Sequence, residues 1–540
     1  PPWLPPLPDT VLLADVPRAP DTTSTDHHPP PADGPPGRPG DGPDDGPGDR
    51  ESGRRRAPRL TLGLADVPSR QRREPLEWDL RSGHLGVAGA PGTGRTGVLR
   101  VVLAGLADLG GEAHVHVLVG SGAPAIPAGT PGLGTVVPVT DPERAARLLR
   151  HLAHDRLPSP WTVLVVDGWE AVLDALTGHD RGRPVDDLLA LARDRGSDGV
   201  RVAASGGRGL LTGPLGALLT TRLLLRTADP TDLLVAGLSA RDVPTVMPPG
   251  RVVRLGGSAA GPTEAQIGLL CVDPSAAAQD AALARLVELG RPAPGASRSG
   301  GPLRLVALPR AVDLVSLQAA VARAPRPVAD GTGAIATSCG PAAVAVGLGG
   351  DDAAPAWLPL PGGEVVLVAG GPSSGRSTAL AVIGVQAAAA GRQVVRADPV
   401  AGLTATAVVD ARSTVVLADD VERLPPTLHD EVAALVASGA TAVVSATGAE
   451  AAVAFHGLLA AARRSRCGLL LGPMAPGESE VLGVRESGPR YAPPGRGLLV
   501  ARGRACAVQV AGVPDAVEVA DVRDTRRSEG WTRPAGDGVR

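Results

Sequence analysis

The chain has 540 residues, of which 43% are apolar, and a formal net charge of −3 at pH 7. That length leaves room for several domains with sizeable cores, and the charge balance excludes an overall basic surface of the kind that gathers on nucleic acid. There is no Lys and no Asn, all 53 basic residues are Arg, and Phe and Tyr occur once each. Ala, Gly, Pro, Arg, Val and Leu dominate, the imprint of a very GC-rich coding sequence, so an Arg at a position that usually calls for Lys reflects drift as well as design.

The four Cys (Cys271, Cys339, Cys467 and Cys506) show no C-x-x-C spacing, which reads as reduced thiols of a cytosolic protein and not as a disulfide framework or zinc site. No signal peptide opens the chain. No uncharged apolar run reads as a membrane span, the nearest (331–350) being broken by Gly and Pro. The chain opens on Pro1, which fits a piece of a longer protein.

In chain order, residues 1–16 read as a Pro-rich linker segment between domains. Residues 17–58 are Pro, Gly, Asp and Arg with almost no large apolar side chains. They cannot bury enough surface to offset chain entropy and are expected to be a disordered linker, in which His27 and His28 are solvated. A first module spans 59–292, a linker 293–302, a second module 303–520, and a disordered tail 521–540.

The two modules are an internal repeat. V-A-G-A-P-G-T-G-R-T (Val87–Thr96) matches V-A-G-G-P-S-S-G-R-S (Val368–Ser377). L-G-L (Leu62–Leu64) and V-G-L (Val346–Leu348) precede them. P-P-G-R (Pro248–Arg251 and Pro493–Arg496) follows, and after each P-P-G-R a strand-like stretch ends near a Gln, Gln266 or Gln509. The second copy is shorter, mostly between the Gly-rich turn and the next acidic strand, where the first copy carries an extra strand-like stretch, His114–Val119, and a Gly/Pro-rich loop. Short apolar strands (Leu85–Ala88, Val163–Val166, Val365–Ala369, Val415–Ala418) alternate with helical stretches rich in Val, Leu and Ala. The expectation is an α/β fold: two tandem P-loop NTPase modules with mostly parallel sheets.

Gly89-Ala-Pro-Gly-Thr-Gly94-Arg95-Thr96 and Gly370-Gly-Pro-Ser-Ser-Gly375-Arg376-Ser377 fit the phosphate-binding loop G-x-x-x-x-G-K-[ST], with Arg in place of Lys. Such glycines let backbone N–H groups curl around phosphate oxygens, the cation reaches the β- and γ-phosphates, and the hydroxyl (Thr96 or Ser377) ligates Mg²⁺. Guanidinium is planar and bulkier than ammonium, and its donors splay as a fork. Arg95 and Arg376 are therefore expected to keep charge while losing catalytic geometry. The second half of such a site is an apolar strand ending in an Asp that holds Mg²⁺, usually followed by a Glu that polarises water. T-V-L-V-V-D ends at Asp167, with Gly168 where the base belongs and Glu170 three positions on, a place that sequence alone reads as wrong for a base. V-V-L-A-D-D ends at Asp419 and Asp420, and Asp420 holds the base position one methylene short. Both sites read as degenerate, binding ATP and Mg²⁺ weakly with little or no hydrolysis. Ser205, and Ser445 with Thr447, end later strands where γ-phosphate sensors sit. Arg222 and Arg226 either reach a neighbouring subunit's nucleotide or are surface charges. His151 and His154 share a helix face without a third ligand and read as a solvated or capping pair.

Taken together, these strings resemble the FtsK/SpoIIIE-type ATPases, and most closely the EccC motor of type VII (ESX) secretion in actinobacteria. P-P-W-L-P-P-L-P (Pro1–Pro8) is similar to the linker after an upstream ATPase domain of that family. E-P-L-E-W-D-L (Glu74–Leu80) is similar to the lead-in of its second ATPase domain, L-S-A-R-D-V-P (Leu238–Pro244) and P-P-G-R to that domain's end, and V-G-L-G-G-D-D (Val346–Asp352) to the opening of its third. The resemblance implies a regulatory, substrate-binding part of a hexameric, membrane-attached export motor at the cytoplasmic face of the membrane. The implied partners are an upstream ATPase domain, a membrane-embedded secretion core and secreted helical-hairpin substrates. This sequence departs from the family in lacking both P-loop lysines and in its long linker after Val16. The alternatives are an active DNA translocase of the same superfamily, for which a full Lys and Glu set and a basic DNA-binding tail are missing, and a nucleotide-free scaffold.

Overall fold

The computed structural model describes residues 4–17, 58–120, 124–159, 161–257, 261–290, 301–324, 342–404, 410–475, 477–485 and 492–513. The sequence-predicted disordered linker and tail lie almost wholly outside these. The described residues up to Leu303, Leu176–Arg183 excepted, form one compact unit, and those from Arg304 onward form a second.

The strands of the first unit are β1 (Val11–Leu12), β2 (Arg59–Val67), β3 (Arg72–Asp79), β4 (Leu85–Ala88), β5 (Ala113–Val119), β6 (Leu133–Pro138), β7 (Trp161–Asp167), β8 (Val200–Gly206), β9 (Thr221–Leu224), β10 (Arg251–Gly256) and β11 (Thr263–Leu269). Those of the second are β12 (Ala343–Gly349), β13 (Ala354–Pro359), β14 (Val365–Gly370), β15 (Gln393–Asp398), β16 (Gly402–Leu403), β17 (Thr414–Ala418), β18 (Thr441–Ala446), β19 (Gly468–Leu471), β20 (Arg496–Ala501) and β21 (Arg504–Val510).

The first sheet runs β3-β2-β11-β10-β9-β4-β8-β7-β5-β6 and the second β13-β12-β21-β20-β19-β14-β18-β17-β15-β16. The two orders correspond strand for strand. In each, the central strands are parallel (β9, β4, β8, β7, β5, and β19, β14, β18, β17, β15), and the strands flanking β9 and β19 on the other side are antiparallel. Continuous apolar runs explain the parallel half. Val163–Val166 and Val366–Ala369 are buried on both faces, which only a sheet covered by helices on both sides provides.

The strand His114–Val119 is not the extra piece of the first module. It lies within β5, whose counterpart is β15, since each pairs in parallel with the acidic strand, β7 or β17. What the first module adds lies beyond it. There, a parallel β6 and the helix Pro142–His154 stand where the second has the two-residue β16, antiparallel to β15. Apolar content alone could not distinguish the two stretches, because a buried strand and its insert look alike in sequence.

The entering segment is docked in both units. β1 pairs in parallel with β11 (Val11 opposite Gly268), and Asp313 bridges in parallel to Gly512 just beyond β21. Leu7, Val11, Val16, Leu305, Leu308 and Val312 are buried by this docking, and Arg73 on β3 donates to the carbonyls of Pro5 and Pro6. No helix among the described residues is long and apolar enough to cross a membrane.

Candidate phosphate-binding sites

Both Gly-rich turns sit where the fold makes an anion site, at the carboxyl end of a central parallel strand and the start of a buried helix. β4 leads through Gly89–Gly94 into the helix Arg95–Asp108, and β14 through the matching turn into the helix Arg376–Ala389. Gly94 and Gly375 adopt φ of 110° and 97°, backbone that an L side chain rarely takes. They are pinned from behind by P-P-G-R. Gly250 N donates to Thr93 O at 3.1 Å, and Gly495 N donates to Ser374 O at 2.8 Å.

In the first unit the turn opens on a cleft of about 480 Å³ lined by Gly89, Ala90, Pro91, Arg95, Glu170 and Arg208 among others. The Arg95 side chain makes no hydrogen bond or ion pair among the described residues. Arg208 is held at the cleft by Asp232 at 3.1 Å. Asp167 is buried at the end of β7, where Ser205 Oγ donates to its Oδ1 at 2.6 Å and accepts from Gly168 N at 3.0 Å. The hydroxyl that sequence offered as a γ-phosphate sensor is thus spent on orienting Asp167. Glu170, which its spacing seemed to misplace, lines the cleft. A helix begins at Trp169, immediately after the positive-φ Gly168, and its first turn brings Glu170 back so that its Oε1 accepts from Gly207 N at 2.8 Å. The missed signal was this short strand-to-helix turn, which puts position three, and not position one, beside the end of β8.

The second unit repeats the serine latch. Ser445 Oγ donates to Asp419 Oδ1 at 2.5 Å and accepts from Asp420 N at 2.9 Å. Thr447 is a helix cap, its hydroxyl engaged with Glu450 at 2.6 Å. The cation of this turn is not free. Asp420, in a left-handed conformation (φ 44°), reaches Arg376 Nη2 at 2.9 Å, with Arg423 behind it at 3.5 Å. Two more carboxyls adjoin the pair. Burial, the hydrogen bond with Glu450 and the charges of Glu450 and Asp420 push Glu422 up to about 7, while the hydrogen bond from Thr447 chiefly holds Glu450 down. A phosphate entering here meets carboxylates at short range, each costing about 1–4 kcal/mol at 4 Å depending on local screening. Where the second unit has Asp420, the first has Gly168.

The residues of the first unit fit a nucleotide with Mg²⁺: an open cleft, an unengaged guanidinium, a turn of backbone N–H groups, Thr96 at the helix start and a buried, oriented Asp167. Those of the second fit it poorly as folded, with Arg376 neutralised by Asp420. The other candidates have local roles. Arg222 donates to Leu219 O and Gly216 O. Arg226 is exposed, and its carbonyl accepts from Ala90 N. His151 pairs with Asp155 and His154 with Asp187, and no cluster of metal-ligating side chains occurs among the described residues.

No protein-family model matches the chain. It is 30% identical over 225 residues to ESX-4 secretion system protein EccC4 of Mycobacterium tuberculosis, a match over 36% of this chain and 18% of that protein, so the chain spans about a fifth of the length of this relative. The fold matches EccC ATPases 2 and 3 of Thermomonospora curvata, solved with a signal sequence peptide, at a TM-score of 0.54 and 19% identity, over 86% of this chain and 94% of that one. It also matches EssC ATPases 2 and 3 of Geobacillus thermodenitrificans at 0.51 and 14%, over 85% and 97%. The chain is thus similar in sequence to EccC4 over part of its length, and in fold to ATPases 2 and 3 of EccC and EssC over most of it.

Proposed function

We propose that this chain is a regulatory and substrate-binding part of a type VII protein-secretion motor, in which the first module binds Mg-ATP weakly with little or no turnover and the second is held closed. One contrast carries the division: Arg95 is unengaged in an open cleft, whereas Arg376 is paired with Asp420. Bound nucleotide would rest on the N–H groups of Gly89–Gly94 and on Arg95, with Thr96 and Asp167 holding Mg²⁺; the metal would neutralise phosphate charge. In the second module, Gly370, Gly375, Arg376, Ser377 and Asp419 are the corresponding positions. Low turnover follows from the guanidinium fork where a compact ammonium is needed and from Glu170 being bound to Gly207 N, which leaves one carboxylate oxygen for water.

The partners proposed with this reading are an upstream ATPase domain, a membrane-embedded core at the cytoplasmic face, and secreted helical-hairpin proteins, in a hexameric motor. The likeness to EccC, and the signal peptide bound to the Thermomonospora protein, support it. Calorimetric titration of Mg-ATP into the chain tests the nucleotide assignment. Arg95→Ala should weaken binding tenfold or more and Arg376→Ala should leave the first site unchanged. Binding lost only in Arg376→Ala would reverse the assignment, and no binding at millimolar ATP would leave a scaffold without nucleotide.

A further inference from the structure

The P-P-G-R motif is unexplained by the phosphate site, yet its Arg makes the same bonds to a Leu-Pro pair and a Gln in both units, Arg251 adding ion pairs with Asp9 and Glu264. Arg251 and Arg496 are buried. Arg251 Nη2 donates to the carbonyls of Leu7 (3.0 Å) and Pro8 (3.2 Å), and its Nε to Gln266 Oε1 at 2.9 Å. Arg496 Nη2 donates to the carbonyls of Leu308 (3.2 Å) and Pro309 (2.7 Å), and its Nε to Gln509 Oε1 at 3.0 Å. Each Gln turns its amide back to the proline before the glycine: Gln266 Nε2 to Pro249 O at 3.1 Å, Gln509 Nε2 to Pro494 O at 2.9 Å. The next residue, Gly250 or Gly495, donates to the Gly-rich turn.

We propose that each module carries a seat for an extended Leu-Pro segment, filled here by Leu7-Pro8 and Leu308-Pro309, and that occupancy of the seat is transmitted through Arg, Gln and P-P-G to the phosphate-binding turn. The chemistry selects this dipeptide. Proline holds the residue before it extended and has no N–H to satisfy, so two successive carbonyls face one guanidinium. The leucine side chain is buried beside them. An empty seat would strip Arg251 Nη2 of its acceptors, the carbonyls of Leu7 and Pro8 and the Asp9 carboxylate, while Glu264 still holds Nη1 and Gln266 holds Nε. The stripped group drives Arg251 to rearrange. The glycine has no slack to absorb that motion. A Cβ on Gly94 would lie 3.2 Å from Gly250 N, and one on Gly375 2.9 Å from Gly495 N. The same path in two modules of differing loop sequence argues for a coupling built into the fold. It does not depend on whether either module binds nucleotide.

Because Arg251→Ala risks unfolding the unit, the test alters the seated segment in the full chain. Leu7→Ser with Pro8→Gly is compared with Leu308→Ser with Pro309→Gly, and amide hydrogen exchange is read peptide by peptide. The first pair should release 4–16 and speed exchange about tenfold in 89–98 and 248–251, leaving 370–379 unchanged; the second should do the converse. Release of the segment with no change in its own turn would overturn the coupling. So would equal loss of protection in both modules, which would mark general destabilisation. A segment that stays docked would overturn Leu-Pro as the determinant.

Discussion

Asp420 and Gly168 occupy the same place after the acidic strand, and the difference between them sets the electrostatics of the two sites. Sequence could show that a carboxylate follows Asp419. It could not show that the carboxylate turns to Arg376, because that depends on a left-handed backbone pinned by Ser445, far away in the chain. Glu170 was hidden for the opposite reason, its spacing being wrong for an extended strand end and right for a helix that starts at once. The carboxyl group of Glu422 gives a residue-scale prediction. Its folded value is raised to about 7 from an ordinary 4.5, so the folded state holds a proton that the unfolded state releases. The stability of the second unit therefore falls as pH rises between those values. Glu450, held low, acts in the opposite direction and loses its contribution as pH falls through its own value. Urea unfolding from about pH 5 to 8 should show a decline towards neutrality that Glu422→Gln flattens; an unchanged profile would remove Glu422 as its source.

At the scale of elements, the two Gly-rich turns, their strands and the acidic strands were legible, because buried parallel strands are apolar runs and phosphate-binding turns need glycine at fixed spacing. The antiparallel half of each sheet was not, since its pairing is decided by contacts far apart in sequence, such as Gly63 opposite Ile267. P-P-G-R and the Gln after it were visible as landmarks, but their use was not, as Arg251 grips carbonyls 244 and 243 positions away. The close approach of P-P-G to the turn makes a stability prediction. Gly94→Ala combines a φ of 110° with a contact at 3.2 Å to Gly250 N. Gly92→Ala takes on positive φ (76°) with nothing near. The backbone alone costs about 1–2 kcal/mol, so Gly94→Ala should lower the unfolding free energy of the first unit clearly more than Gly92→Ala does. Equal losses would mean that the P-P-G contact is slack.

At the scale of the molecule, the repeat and the fold class were readable because four landmarks recur in one order. The asymmetry between modules was not, because both turns read alike as Gly-rich loops with Arg for Lys. Only the folded contacts separate a free cation from a latched one. Opening Arg376 means giving up a partly buried ion pair, an interaction between the roughly 1 kcal/mol of an exposed pair and the roughly 3–5 kcal/mol lost on breaking a buried one. At about 1.4 kcal/mol per tenfold in affinity, that is about fivefold at the least and roughly a hundredfold or more at the upper end. The central claim is this division between an open first site and a latched second. Equilibrium counting of Mg-ATP bound per chain, in the native protein and in Asp420→Asn, tests it most directly. The account predicts one nucleotide per chain, lost in Arg95→Ala, and a second appearing in Asp420→Asn at concentrations where the native chain binds one. Two nucleotides on the native chain, or occupancy that follows Arg376 and not Arg95, would contradict it.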